Sequence, residues 1–165
     1  RDQYTIAAVI VPITKVKEYR RVMHSLLPKG SSSFHMGNEK KPARKNALRV
    51  FSSMEFLEVT LSQSPLKIQA AARQDALRLL VSSLERGDYQ LFLDQTTMEP
   101  RDRQTLFSIR VTHRGNLDFV HTDRHTEKGI WGADIVAWSV GTPYLAECKV
   151  PIKDARLGSQ PPAAS

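Results

Sequence analysis

Residues 127–141 read EKGIWGADIVAWSVG, the most hydrophobic window of the chain, with an aspartate in its middle. On a helix the neighbours of Asp134 three and four positions away are Ile130, Trp131, Ala137 and Trp138, all apolar. Asp134 therefore falls on the stripe that faces the core. An unpaired buried carboxylate is costly, so this window predicts a helix whose aspartate has a committed partner.

Working outward from that helix, the preceding stretch TDRHTEKG (122–129) is polar and follows LDFVH (117–121), which reads as a strand. Upstream, YQLFLD (89–94) reads as a buried strand ending on an acid. Between these strands, Thr97 is expected to cap a helix with Pro100 in its first turn, running to about Arg110. The longest expected helix spans Ile68 to about Arg86, with Ile68, Ala72, Ala76, Leu79, Leu80 and Leu84 on its stripe. EFLEVTL (55–61) alternates as a strand does. Pro42 suits the first turn of a helix carrying Ala43, Ala47, Val50, Phe51 and Met54. YTIAAVIV (4–11) is a continuous apolar run, the pattern of a strand covered on both faces, and Lys15 to Leu27 follows at helical spacing. A short strand at Phe34–Met36 is a further reading. This alternation predicts an α/β layered domain over residues 1–148, with a mostly parallel sheet flanked by helices. Residues 149–165 are expected to form a disordered or extended tail.

Composition narrows the function classes. No apolar run approaches the length needed to span a membrane. There is no signal-peptide pattern, and the single cysteine, Cys148, suits a reducing cytoplasm. GxxxxGK[ST], GxGxxG and GxSxG are all absent, which argues against nucleotide-loop enzymes and serine hydrolases. The net charge is +7 and uneven: residues 1–50 hold eleven Lys and Arg against three acids. A basic half on a neutral remainder suits a polyanion such as nucleic acid, and equally a solvated surface.

The candidate chemistry follows from placement. Ligands collect at the carboxyl ends of strands in open α/β sheets, where Asp94 stands; a local turn with Gln95 and Thr96 is its plainer reading. Asp94 and Asp134 brought together would suit a hard divalent cation, Mg2+ or Mn2+. A structural salt bridge, to Arg44 or Arg101 for example, or a cap for a neighbouring element is the alternative for Asp134. In the loop FHMGNEKKPARK, His35, Asn38 and Glu39 precede Lys40, Lys41, Arg44 and Lys45 at a helix start. Cations there oppose the helix dipole and make more sense facing a phosphate backbone, unless the loop is simply solvated. His121, Asp123, His125 and Glu127 read as a linker or as groups supporting a metal site.

Taken together these motifs resemble a widespread bacterial family of uncharacterised domains assigned to the ribonuclease-H-like fold. The resemblance covers roughly residues 4–145 and rests on YTIAAVIVP, FHMGNEKKPARK, LFLD, EPRDRQ and, most specifically, Ala133-Asp134-Ile135-Val136-Ala137. It implies a central mixed sheet flanked by helices and a metal-dependent nuclease-like site. Asp94 and Asp134 match the family's second and third carboxylates, with Glu39 or Asp123 as auxiliary ligands and His35 positioning substrate or moving a proton. Lys40, Lys41, Arg44 and Lys45 would hold nucleic acid. The family's opening strand, which carries its first acid, has no counterpart ahead of YTIAAVIV. A non-catalytic module binding nucleic acid, a protein partner or a second copy is the rival expectation.

Overall fold

The structure is a computed structural model that describes residues 3–158. Its strands and helices alternate except that the first two helices follow one another. β1 (Tyr4–Ile10) leads through a 3-10 turn into α1 (Val16–His24), followed by α2 (Lys41–Ser52), β2 (Glu58–Ser64) and α3 (Gln69–Ser83). Then come β3 (Tyr89–Asp94), α4 (Glu99–Ile109), β4 (Leu117–Thr122), α5 (Gly129–Ser139), β5 (Ile152–Asp154) and the short α6 (Ala155–Gly158). No helix of the described residues is long and apolar enough to cross a membrane.

The strands form two small sheets. One has the order β1-β2-β5, with β1 antiparallel and β5 parallel to β2; the other pairs β3 with β4 in parallel. The β1–β2 pair differs from the mostly parallel sheet expected, because a strand with two apolar faces is compatible with either direction once both faces are covered.

Register assigns the faces. Ala7 stands opposite Leu61 and Val9 opposite Val59, and this side carries the main core with Tyr19, Met23, Phe51, Trp131 and Ile135. The opposite side of β2 presents Thr60, Ser62 and Ser64, all buried. Small polar residues fit there because α3 comes close. The Ser62 hydroxyl donates to the Ala76 carbonyl at 2.6 Å, satisfying a group that burial would otherwise penalise. In the second sheet Tyr89, Leu91, Leu93, Leu117 and Phe119 pack with Val81 and Leu106 of α3 and α4. Phe92 and Val120, on its other face, stay 45% and 43% exposed.

Several sequence expectations shift. β3 has the expected bounds, but β2 starts three residues late because Glu55 to Leu57 are held in a turn. Ile68 lies outside α3 and is 73% exposed. Met98 rather than Thr97 occupies the N-cap of α4, without a side-chain cap. Phe34–Met36 forms no strand; Met36–Asn38 is a 3-10 turn. The expected domain end at residue 148 also moves, since β5 pairs with β2 and both Val150 and Ala155 are buried. Residues 159–165 of the expected tail lie outside the described residues. Gly115 has φ +131, and any Cβ there would collide with the Gly87 carbonyl, so two turns meet where only glycine fits.

Candidate acid–arginine site

The segment that carries His35 is anchored by its neighbours. Phe34 and Met36 are 2% and 0% exposed, so the backbone is pinned in the core while the His35 side chain between them points outward. The Met36 amide donates to Asp134 Oδ2 at 2.9 Å, and His35 Nδ1 stands 3.8 Å from the same oxygen. Asp134 comes from α5, whose Trp131 is fully buried. The Trp131 indole N–H donates 2.8 Å to the carbonyl of Arg124, fixing the loop that follows β4.

Besides the Met36 amide, Asp134 has a longer-range cationic neighbour in Arg124. Its Nη2 lies 3.1 Å from Asp94 Oδ2 and 3.9 Å from Asp134 Oδ1, and its Nη1 reaches the Phe34 carbonyl at 3.5 Å. Four segments distant in sequence thus converge: the end of β3, the loop after β4, α5 and the 34–36 loop. Both plainer readings of Asp134 have a contact: it accepts the Met36 amide at the start of the 3-10 turn at 2.9 Å, and its salt bridge is the longer one, to Arg124 rather than Arg44 or Arg101. Arg44 instead donates to the Met36 and Gly37 carbonyls and stacks on the Trp138 ring at 4.3 Å. Arg101 is exposed and makes no ion pair among the described residues.

The other expected groups divide. Lys40 and Lys41 are exposed at the start of α2, whose first turn has no acid. Lys45 is 3.9 Å from Glu147. The Glu39 carboxylate makes no hydrogen bond or ion pair among the described residues, so nothing draws it into the acid pair. Asp123 is spent on its own turn, accepting the amides of His125 and Thr126 at 2.8 and 2.9 Å and the Thr126 hydroxyl at 3.0 Å. Those bonds from Thr126 hold its carboxyl below the usual range. His125 meets Ser32 at 2.8 Å.

Two ion pairs with a buried acid carry no signature that the sequence reading used. Glu127, within the stretch taken as linker, is gripped by Arg20 of α1 through both carboxylate oxygens. Asp102, 1% exposed, takes a two-pronged bond from Arg73 at 2.8 and 2.9 Å and a third contact from His121 Nε2 at 3.0 Å. Arg73 also donates to the Tyr4 hydroxyl at 3.0 Å. An acid at the inward position of an amphipathic helix was the available signal at Asp102, as at Asp134.

Comparison of the chain with protein-family models, with curated proteins and with solved structures finds no match. The chemistry therefore has to be read from the site itself. Asp94 and Asp134 present oxygens to one shared cationic group, a donor set of the kind that hard divalent ions use. Magnesium needs only one or two protein carboxylates, keeping water or phosphate for its remaining positions. Arg124 holds that place here, and no group of three or more His, Cys, Asp and Glu surrounds it among the described residues. The protein donors at this position are thus two carboxylates, with the Arg124 guanidinium between them.

Proposed function

We propose that this chain is a ribonuclease-H-like module acting on nucleic-acid phosphodiesters, with Asp94 and Asp134 as ligands for Mg2+ or Mn2+. The observation that carries the reading is the convergence of these two carboxylates, from a strand end and a helix, on a single cation position. When bound, the metal would supply charge stabilisation and an activated water at the phosphate. Asp94 and Asp134 would hold it, with the Met36 amide fixing the second oxygen of Asp134. His35, exposed and 3.8 Å from Asp134, would orient a phosphate or carry a proton. Lys40 and Lys41 would meet the backbone charge, and Lys45 would contribute once it leaves Glu147. Arg44, tied to two carbonyls and Trp138, shapes the loop rather than reaching outward.

A second reading has its own support: Arg124 already neutralises the acid pair, which suits a non-catalytic module that binds nucleic acid. One experiment separates them. Labelled DNA and RNA strands are incubated with Mn2+ and the wild-type chain, Asp134→Asn or Lys40→Glu/Lys41→Glu. Cleavage lost in Asp134→Asn supports hydrolysis. Binding without cleavage, weakened by the lysine changes with a shallower salt dependence, supports the second reading. Absence of both sinks the module as a nucleic-acid protein.

A further inference from the structure

Arg86 and Arg114 occupy the same place in two matching turns. Arg86-Gly87-Asp88 leads from α3 into β3, and Arg114-Gly115-Asn116 leads from α4 into β4. The β3–β4 ladder pairs Tyr89 with Leu117 and continues backwards past the strand ends. The Tyr89 amide donates to the Asn116 carbonyl at 2.8 Å, and the Gly87 amide donates to the Arg114 carbonyl at 2.9 Å. Carried back at that register, Arg86 falls beside Arg114. The close approach of Gly87 and Gly115, which any Cβ at 115 would break, locks the two turns together. The backbone thus sets two like charges side by side, an arrangement that destabilises paired strands.

Neither guanidinium makes a hydrogen bond or an ion pair among the described residues. The neighbouring acids are engaged elsewhere. Asp88 accepts the Asn116 amide at 2.9 Å, and Glu85 lines a different cavity with Glu58 and Tyr89. Both arginines are exposed and line one cavity of about 190 Å³ together with Ser82, Thr112 and His113. His113 forms a fixed wall: its Nε2 donates to the Gly87 carbonyl at 2.7 Å, and its ring packs edge-on against Tyr89. The end of α3 lies close by, and its negative pole would oppose an anion. Its carbonyls are already used, however. Leu80 accepts the Ser83 hydroxyl, Val81 the Leu84 amide and Ser83 the Lys153 ammonium.

We infer that this cavity is a phosphate site, taking inorganic phosphate or the terminal phosphoryl group of a small phosphomonoester between the guanidiniums of Arg86 and Arg114. Two guanidinium forks match a dianion with three free oxygens better than a carboxylate, which brings one charge and two oxygens. A phosphodiester also brings one charge and two free oxygens, so a nucleic-acid backbone is the poorer match. The volume lies below the roughly 300 Å³ at which pockets enclose a whole drug-sized ligand, so the phosphoryl group enters and the rest of the ligand stays outside. Ser82 adds a hydroxyl to the same wall. The site stands at the start of β3, about 17 Å along the strand from Asp94 at its end. The inference is independent of whether Asp94 and Asp134 act on nucleic acid.

The test titrates the isotope-labelled chain with inorganic phosphate at constant ionic strength and follows it by NMR. The Nε–H resonances of Arg86 and Arg114 and the amides of Gly87 and Gly115 should shift together and saturate. Arg86→Gln and Arg114→Gln should each weaken the apparent affinity at least about tenfold, the loss of one charge-assisted contact. Arg101→Gln removes the same charge from an exposed arginine elsewhere and should leave the affinity unchanged. Either change at Arg86 or Arg114 relieves the repulsion, so the Tm of both variants should equal or exceed that of the wild type, which separates lost binding from lost folding. Methyl phosphate should bind as inorganic phosphate does, whereas dimethyl phosphate and a short oligodeoxynucleotide with hydroxyl ends should not shift these resonances. No saturation in the wild type, or equal weakening in Arg101→Gln, overturns the site. Binding of dimethyl phosphate or the oligonucleotide at these resonances as tightly as methyl phosphate overturns the terminal phosphate as the ligand and makes the arginines a backbone contact.

Discussion

The guanidinium of Arg124 stands between Asp94 and Asp134, 3.1 Å from one carboxylate and 3.9 Å from the other. Arg124 is largely buried at its side chain and Asp94 is not, so the pairs differ in strength and the Asp94 contact is partly screened. Replacing Arg124 with Ala leaves two carboxylates facing each other. That substitution should cost on the order of 1–3 kcal/mol in urea unfolding without metal. Millimolar Mn2+ should recover part of the loss if the acids are ligands, and calorimetric titration should show tighter Mn2+ binding than in the wild type. Equal Mn2+ binding by both proteins would remove Asp94 and Asp134 as a metal pair.

Asp102 is the acid on which the second sheet depends. It bonds Arg73 and His121 at once with 1% exposure, so its removal strands two polar groups in the interior. Asp102→Ala is expected to destabilise the chain by about 3–5 kcal/mol in denaturant unfolding. Asp75→Ala, on the same helix layer but paired with nothing comparable, should stay within about 0.5 kcal/mol of wild type. Similar costs for the two would mean the Asp102 network is replaceable.

Gly132 is a helix-interior glycine that intrinsic propensity alone would replace with alanine, by roughly 1 kcal/mol. The structure reverses the sign. A Cβ at 132 would overlap the Tyr19 hydroxyl and press on Phe51 at 3.0 Å. Gly132→Ala should therefore lose about 1–3 kcal/mol. Tyr19→Phe removes the overlapping oxygen, so the double mutant should be less destabilised than the two single costs added together. Strict additivity in a double-mutant cycle would refute the contact.

Burial raises the thiol of Cys148 above its ordinary range. A folded thiol that holds its proton more tightly than the unfolded one stabilises the fold below the unfolded thiol pKa. That contribution is lost as pH rises through the folded value. Alkylation of the native chain should accordingly follow a pH profile displaced upward from that of the urea-unfolded chain, with slower reaction at pH 8. Coincident profiles would show that the thiol is not shielded.

Asp134 illustrates what periodicity could and could not deliver. The placement of four apolar neighbours around it is a property of local sequence, and so is the need for a partner. The identity of that partner is not local. Arg124 sits in a polar stretch that carries no helical or strand period; the Trp131 indole fixes its backbone carbonyl, and bonds to Asp94 and the Phe34 carbonyl orient its side chain. Asp94 is similar: its place at a strand end was legible, its ion pair was not. Lys40 and Lys41 are exposed at the helix start, whereas Arg44, in the same charged run, is drawn onto Trp138.

The sequence by itself determined the alternation of strands and helices from β2 onward, the bounds of β3, the inward face of α5 and the basic start of α2. These depend on interactions within a few residues, where period and turn chemistry act directly. Tertiary structure decided the antiparallel direction of β1, the pairing of β5 with β2, and the joining of Arg20 to Glu127 and Arg73 to Asp102. It also decided the meeting of His35, Asp94, Arg124 and Asp134. Those depend on which covered faces and buried charges find each other across long chain separations, and a buried charge is satisfied by whichever opposite group the packing brings within reach.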